Sequence, residues 1–357
     1  MSGLYHLTRK WLAVGIILLF VGTCIIPAMA QDTEKPLPTT RVNTLYVGGS
    51  GPGNYTRIQD AVNASTDGDT VYVYDDSSPY QETLSVTHSI TLLGENQTTT
   101  VIDAIYGYFG VYILADHATM QGFTVLNASW YGIRINASYV TVSQTTVRDC
   151  QNEDIYIGET TGPHFIGNLI ENDTLSNSLV GILLWRCLNT TIAHNTIFNN
   201  SYNGIRIEDS FNNTIIGNRI TSSGNAIEED YGSSNLYTTN LLQNNFCGIY
   251  FWAATFDKVI KNTFLDNNRA AYFGTSPLYL LTIILEEFKD HDAFFTSHFH
   301  IFGPNVWSQN YWNKPRNLPY PIYGEHVIYL GYWELPYPII AFDWHPAQEP
   351  YDIPGMR

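Results

Sequence analysis

Charge is scarce in this chain. Only 14% of its 357 residues are Asp, Glu, Lys or Arg, against about 25% in an ordinary globular protein, while hydrophobic residues make up 44%. So apolar a sequence is neither a disordered tail nor a coiled coil with a charged outer surface. Positive charge is scarcer still, with 17 Lys and Arg against 33 Asp and Glu for a net −16. That excludes nucleic acid as a partner, because a phosphate backbone is bound by cations. Cysteine is also rare. Of the four, Cys24 lies near the start, and Cys150, Cys187 and Cys247 form an odd set without CxxC spacing, so no disulfide framework holds the fold. Nor does any stretch sustain the 3.6-residue period of an amphipathic helix.

What the chain has in surplus is asparagine, thirty residues of it. Amides and hydroxyls therefore carry most of the polarity. Nine Asn-x-Ser/Thr sequons, the first at Asn54 and the last at Asn212, would suit an exported surface, but so Asn-rich a chain forms them by chance.

The first thirty residues read as an export signal. Arg9 and Lys10 precede an apolar run from Trp11 to Ile26, and Ala28-Met29-Ala30 has the small-x-small pattern of a cleavage site. An uncleaved N-terminal membrane anchor is the alternative. Either way the expected location is extracytoplasmic, secreted or held at the cell surface, with membrane contact through this segment only. Residues 31–43 would be a linker.

An internal repeat organises the rest. A small residue followed by apolar-x-apolar recurs at Gly110, Gly132, Asp154, Gly181, Gly204, Ala226, Gly248 and Ala270, at spacings of 22, 22, 27, 23, 22, 22 and 22. A second marker, Asn then x then an apolar residue, keeps the same beat at Asn168, Asn195, Asn218, Asn240 and Asn262. Within each repeat apolar residues alternate in twos, which is strand periodicity. A 22-residue coil of short strands with Gly and Asn at its corners predicts an all-β parallel solenoid, whose rungs stack at about 4.8 Å. Asparagines that stack on one another can hydrogen-bond along the axis.

The segment Tyr46-Val-Gly-Gly-Ser-Gly-Pro-Gly-Asn-Tyr-Thr-Arg-Ile-Gln-Asp-Ala-Val, with Asp67-Gly-Asp-Thr-Val-Tyr-Val and Ile90-Thr-Leu-Leu-Gly-Glu-Asn, resembles the start of secreted right-handed parallel β-helix proteins of the NosD type, which share the pectin-lyase-like fold and occur in archaea and some bacteria. The resemblance runs over roughly residues 44–275, with Asn310-Tyr-Trp and Tyr320-Pro-Ile-Tyr-Gly near the end. It implies a right-handed β-helix over 44–276 with a short N-terminal helical cap formed by the Ile-Gln-Asp-Ala stretch. Beyond Ser276 the beat is lost. Residues 277–357 hold ten of the sixteen prolines and four of the eight tryptophans, and they read as an irregular C-terminal cap.

The resemblance also raises copper handling. Copper(I) needs thiolate or thioether ligands, and past the N-terminal segment only Met120, Met356 and three scattered cysteines could supply them, so copper is not expected. His298 and His300, two apart with His291 and Asp292 nearby, come nearest to a metal site, although such a pair is more often ordinary surface.

Written in register, the second and fourth residues after each anchor point outward. On adjacent rungs they gather Arg206, Glu208, Glu228 and Asp230, with Trp185 on one side and Tyr250 and Trp252 on the other; Tyr156 and Tyr272 share the same columns. Indoles offer flat faces to sugar rings and carboxylates bind hydroxyls, so a carbohydrate or cell-envelope glycan is one expected ligand. Two enzymatic versions stand beside it. Glu208 and Asp230 could be the acid and nucleophile of a retaining glycosidase. Alternatively the acidic residues could hold calcium with Arg206 as base, as in the β-helix pectate lyases that this pattern resembles. Neither signature is complete, since no Gly-His-Gly occurs and the Asp spacing of the polygalacturonases is missing. The plain alternative is a scaffold in which Arg206 and Glu228 merely pair across rungs. Glu229 falls at an inward position, which requires either a bulge or a buried, partnered carboxylate with a raised pKa.

Overall fold

The computed structural model describes residues 42–352, apart from 106, 160, 161, 163, 276–304 and 331–332. The N-terminal segment and the histidines at 291, 298 and 300 therefore lie outside the described residues. Each turn of the chain supplies one strand to each of three sheets, as in Thr214–Ile216, Arg219–Thr221 and Asn225–Asp230. Every coil strand pairs in parallel with the equivalent strand one turn away, so the sheets run along the whole coil with 11, 11 and 10 strands, or about ten turns. Almost no helix is present among the described residues.

The core follows from the period. Ile205, Ile227 and Ile249 are register partners on successive turns, and all three are fully buried. Each such side chain contributes about 1.5–3 kcal/mol on burial, and the repeat delivers several per turn without any closed globular centre. One sheet has longer strands than the other two, typified by Asn203–Glu208 and Asn225–Asp230. Its outer face carries the candidate residues.

The asparagines have a structural purpose that the composition only hinted at. At each corner the residue before the ladder position has positive φ, as at His194, Gly217, Thr239 and Lys261. That turn leaves the next backbone N–H without a carbonyl partner, and the Asn one rung on supplies the acceptor. Asn195, Asn218, Asn240 and Asn262 each donate their N–H to the side-chain oxygen of the following ladder Asn at 2.9–3.0 Å. A parallel ladder runs through Asn213, Asn235 and Asp257, and a third through Asn245 and Asn267. The marker at Asn168 belongs elsewhere than expected. An insertion of five residues precedes Phe165, so the residue in register with Asn195 is Asp173, while Asn168 stands in the same column as Thr190.

At the N-terminal end the helix Ile58–Ala64 covers the coil with Ile58, Ala61 and Val62 buried, as the resemblance implied. Its first N–H groups donate to the Glu82 carboxylate at 2.8 and 3.1 Å, which caps it from a different part of the chain. The C-terminal end differs from the irregular cap expected. Val306–Ser308 and Tyr311–Trp312 add to two of the sheets, and Asn310 continues the asparagine ladder 48 residues after Asn262. The beat is interrupted by a long insertion and then resumes. Tyr320–Leu330 then pairs with Arg269–Thr275 and turns back antiparallel into Trp333–Asp343. Pro336 and Pro338 lie on that last, outermost strand, where proline discourages pairing with another chain. Asp343 ends the ladder, accepting from Asn310 N–H at 2.9 Å and Trp312 Nε1 at 3.0 Å.

Candidate functional site

The expected columns are realised on the outer face of the long-strand sheet. Leu183, Arg206, Glu228, Tyr250 and Tyr272 are successive register partners, as are Trp185, Glu208, Asp230, Trp252 and Gly274. The two tryptophans stand three rungs apart, about 14 Å at the usual spacing. At Gly204, which opens the Arg206 strand, a Cβ would meet Ile220 Cγ2 at 2.3 Å and the Ala226 carbonyl at 2.6 Å. The small residue at this anchor lets the chain bend tightly enough to align the columns.

Arg206 is the centre. Its Nη2 contacts Glu208 Oε2 at 3.2 Å and Asp230 Oδ2 at 3.1 Å, and its Nε lies 4.0 Å from Glu228 Oε1. One guanidinium thus sits among three carboxylates. Glu228 is held from below by Asn203 Nδ2 at 2.8 Å and by Asn225 Nδ2. Burial, with the charge of Glu228, pushes the Asp230 carboxyl up to about 6, against the pull of Arg206. Burial also raises Glu208 despite the same guanidinium. Since both touch one Nη2, their nearest oxygens lie within about 6 Å of each other. The centre is half-buried rather than open, and Glu228 is almost fully covered.

The aromatic candidates divide. Trp252 lies against Gly274, where a Cβ would meet its ring at 2.4 Å, so the glycine makes room for a flat indole. Tyr250 and Tyr272 stack at 5.6 Å, and the Arg269 guanidinium lies 4.4 Å over Tyr272. Tyr156 is different. Its ring stacks on Tyr131 at 4.9 Å and joins Val180 and Leu183 in a small apolar cluster with Trp185 alongside, leaving it 4% exposed. It acts as packing for the face and offers little surface to a ligand. Arg134, nearby, is enclosed by Tyr112, Tyr131 and Tyr156 at 5.0–5.7 Å and bonded to Glu159 at 3.0 Å.

Glu229 does point inward without a bulge, paired in register with Ile207 and Phe251. Its carboxyl is fully buried and bonded to Asn235 Nδ2 at 2.8 Å and to the Tyr237 hydroxyl. Burial pushes it up to about 8. It lies inside the coil, on the opposite side of the sheet from Arg206.

Two features escaped the sequence reading because the columns were followed only forward from each anchor. One residue before the anchor, Glu153 and Asn203 project onto the same outer face as Arg206. Burial pushes Glu153 up to about 7, and its Oε2 has no hydrogen-bond partner; nor does Asn203 Oδ1. Two residues before the anchor, Tyr108, Trp130, Leu179, Tyr202 and Phe246 form an exposed apolar ridge along the edge of the face, interrupted at Asn152 and Gly224, with Phe246 65% exposed. Their rungs are tied by bonds such as Tyr131 N–H to the Tyr108 carbonyl and Arg269 N–H to that of Phe246, both 3.0 Å. Among the described residues, no group of three or more His, Cys, Asp or Glu side chains is disposed to hold a metal.

Residues 109–270 match the family model described as a right handed beta helix region. The chain forms a right-handed parallel β-helix. Solved structures similar to this β-helix include the A-module of a mannuronan C-5 epimerase from Azotobacter vinelandii, at 15% identity over 61% of this chain and 74% of the other, with a TM-score of 0.47. A periplasmic alginate epimerase is 15% identical over 68% of each chain, TM-score 0.45. An alginate lyase from a Paenibacillus species is 12% identical over 65% of this chain and 93% of its own, TM-score 0.37. No activity is carried over from these likenesses. No curated protein matches the β-helix in sequence.

Proposed function

We propose that this protein is exported, as its first thirty residues suggest, and binds an extended carbohydrate of the cell envelope along the outer face of its long-strand sheet. The observation that carries the reading is the column Trp185, Glu208, Asp230, Trp252, with Arg206 joining the two acids. Two indoles about 14 Å apart can each take the apolar face of a sugar ring, while the charged centre between them meets hydroxyls. A glycan-array screen of the full chain, with and without calcium and repeated on Trp252→Ala, tests it. A defined glycan should bind, and the variant should lose about tenfold or more in affinity. No binding to any glycan, or binding indifferent to Trp252, would refute the reading.

The raised Asp230 carboxyl, close to Glu208, favours a second reading, a glycoside hydrolase with Asp230 as acid and Glu208 as nucleophile. Cleavage of the bound glycan that disappears in Asp230→Asn while binding persists would establish it.

A further inference from the structure

We infer that the ligand of this face is a glycan bearing protonated amino groups, a polymer of glucosamine type, and not a uronate. The inference rests on the carbohydrate reading above and adds the ligand's charge.

Three observations carry it. First, the cations of the centre are spent. Arg206 is shared among Glu208, Glu228 and Asp230, and Arg134 is enclosed by tyrosines and paired with Glu159. At this centre an incoming carboxylate would find no unpaired guanidinium, the exposed Arg269 lying three rungs away over Tyr272, and would meet a surplus of negative charge. Secondly, the unmet hydrogen-bonding atoms are mostly acceptors. Glu153 Oε2 and Asn203 Oδ1 are buried without partners, and Asn203 is itself fully buried while its Nδ2 bonds Glu228; the one unmet donor there is Arg206 Nε. A primary ammonium brings three donors and the missing positive charge. Thirdly, the exposed ridge from Tyr108 to Phe246 borders the same face and offers apolar surface to the rings of a chain lying along the coil axis. Burial raises both the Glu153 and the Asp230 carboxyls, and an ammonium beside either would favour its ionised form.

The test is titration calorimetry at neutral pH with a glucosamine oligomer, its N-acetylated counterpart and an oligouronate of equal length. Wild type, Glu153→Gln and Trp252→Ala are compared. The glucosamine oligomer should bind about tenfold or more tightly than the acetylated one, and the oligouronate should not bind. Glu153→Gln should remove most of that preference, chiefly by weakening the glucosamine oligomer. If Glu153→Gln does not fold, the salt dependence of the wild-type preference serves in its place: it should shrink as ionic strength rises, and a preference indifferent to salt overturns the inference. Equal binding of both neutral and amino oligomers, or binding of the oligouronate, with Trp252→Ala still weakening it, overturns the amino-sugar inference and leaves the carbohydrate reading standing. Failure of every oligomer to bind removes both. Self-association of the protein that is abolished by Phe246→Ser would assign the ridge to a second copy and likewise overturn the inference.

Discussion

Replacing Glu229 by Gln should change how stability depends on pH. Glu229 is fully enclosed, with Asn235 and Tyr237 as its partners, and burial lifts its carboxyl from an ordinary 4.5 to about 8. Below 4.5 the folded and unfolded chains both hold the proton, and the stability is fully present. As pH rises towards 8 the unfolded chain releases it and the folded chain does not, so stability falls; above about 8 the loss levels off. At 1.36 kcal/mol per pH unit the whole window amounts to about 5 kcal/mol. Gln preserves the shape, placing its carbonyl towards Asn235 Nδ2 and its amide towards the Tyr237 oxygen, and has no proton to lose. A chain of this length shifts its Tm by about 1.5–2 °C per kcal/mol. Thermal melts followed by circular dichroism across the window should therefore show the variant gaining roughly 8 °C on wild type from the acid to the alkaline end. Asp257, also buried, has its carboxyl pushed well up by burial and then by the Glu229 charge, so the difference reports on Glu229 together with its coupling to Asp257. Melting curves that stay parallel across the window would refute the burial argument.

Two other substitutions probe the coil and its face. Asn218→Ala removes the acceptor of the Asn195 N–H and Nδ2 and the donor to the Ile192 carbonyl. Buried groups left unpaired cost about 1–3 kcal/mol each, so chemical denaturation should show a loss of about 3 kcal/mol or more. Arg206→Gln leaves Glu208, Glu228 and Asp230 facing one another. It should cost about 2 kcal/mol at neutral pH, most of it recovered on acidification, and the recovery begins above about 6 because loss of the guanidinium raises the Asp230 carboxyl further; the readout is the Tm difference from wild type against pH.

Much of this architecture was legible because a solenoid writes its third dimension into a period. Arg206 and Glu228 are 22 residues apart in sequence and one rung apart in space, so their meeting could be read from the anchors Gly204 and Ala226 alone. The inward direction of Glu229 followed from the same alternation. Where the period breaks, legibility ends. The insertion before Phe165 moved Asn168 out of the column to which its spacing assigned it, and the 48-residue spacing from Asn262 to Asn310 hid the continuing ladder and the hairpin beyond. Periodicity assigns a face but not the degree of cover. Tyr156 and Trp252 both point outward, yet the rings around Tyr156 close over it, while Gly274 leaves a bed for Trp252. Glu153 and the ridge were missed for a simpler reason: they precede the small-residue anchor, where no repeating residue type marks the column.

The central claim is that one outer face of the β-helix receives an extended glycan. A crystal structure of the protein with the tightest-binding oligosaccharide tests it most directly. The account predicts sugar rings against Trp185 and Trp252, with hydrogen bonds to Glu208 and Asp230 between them. An oligosaccharide seated on either of the other two sheets or at an end of the coil, with that column free of it, would contradict the account.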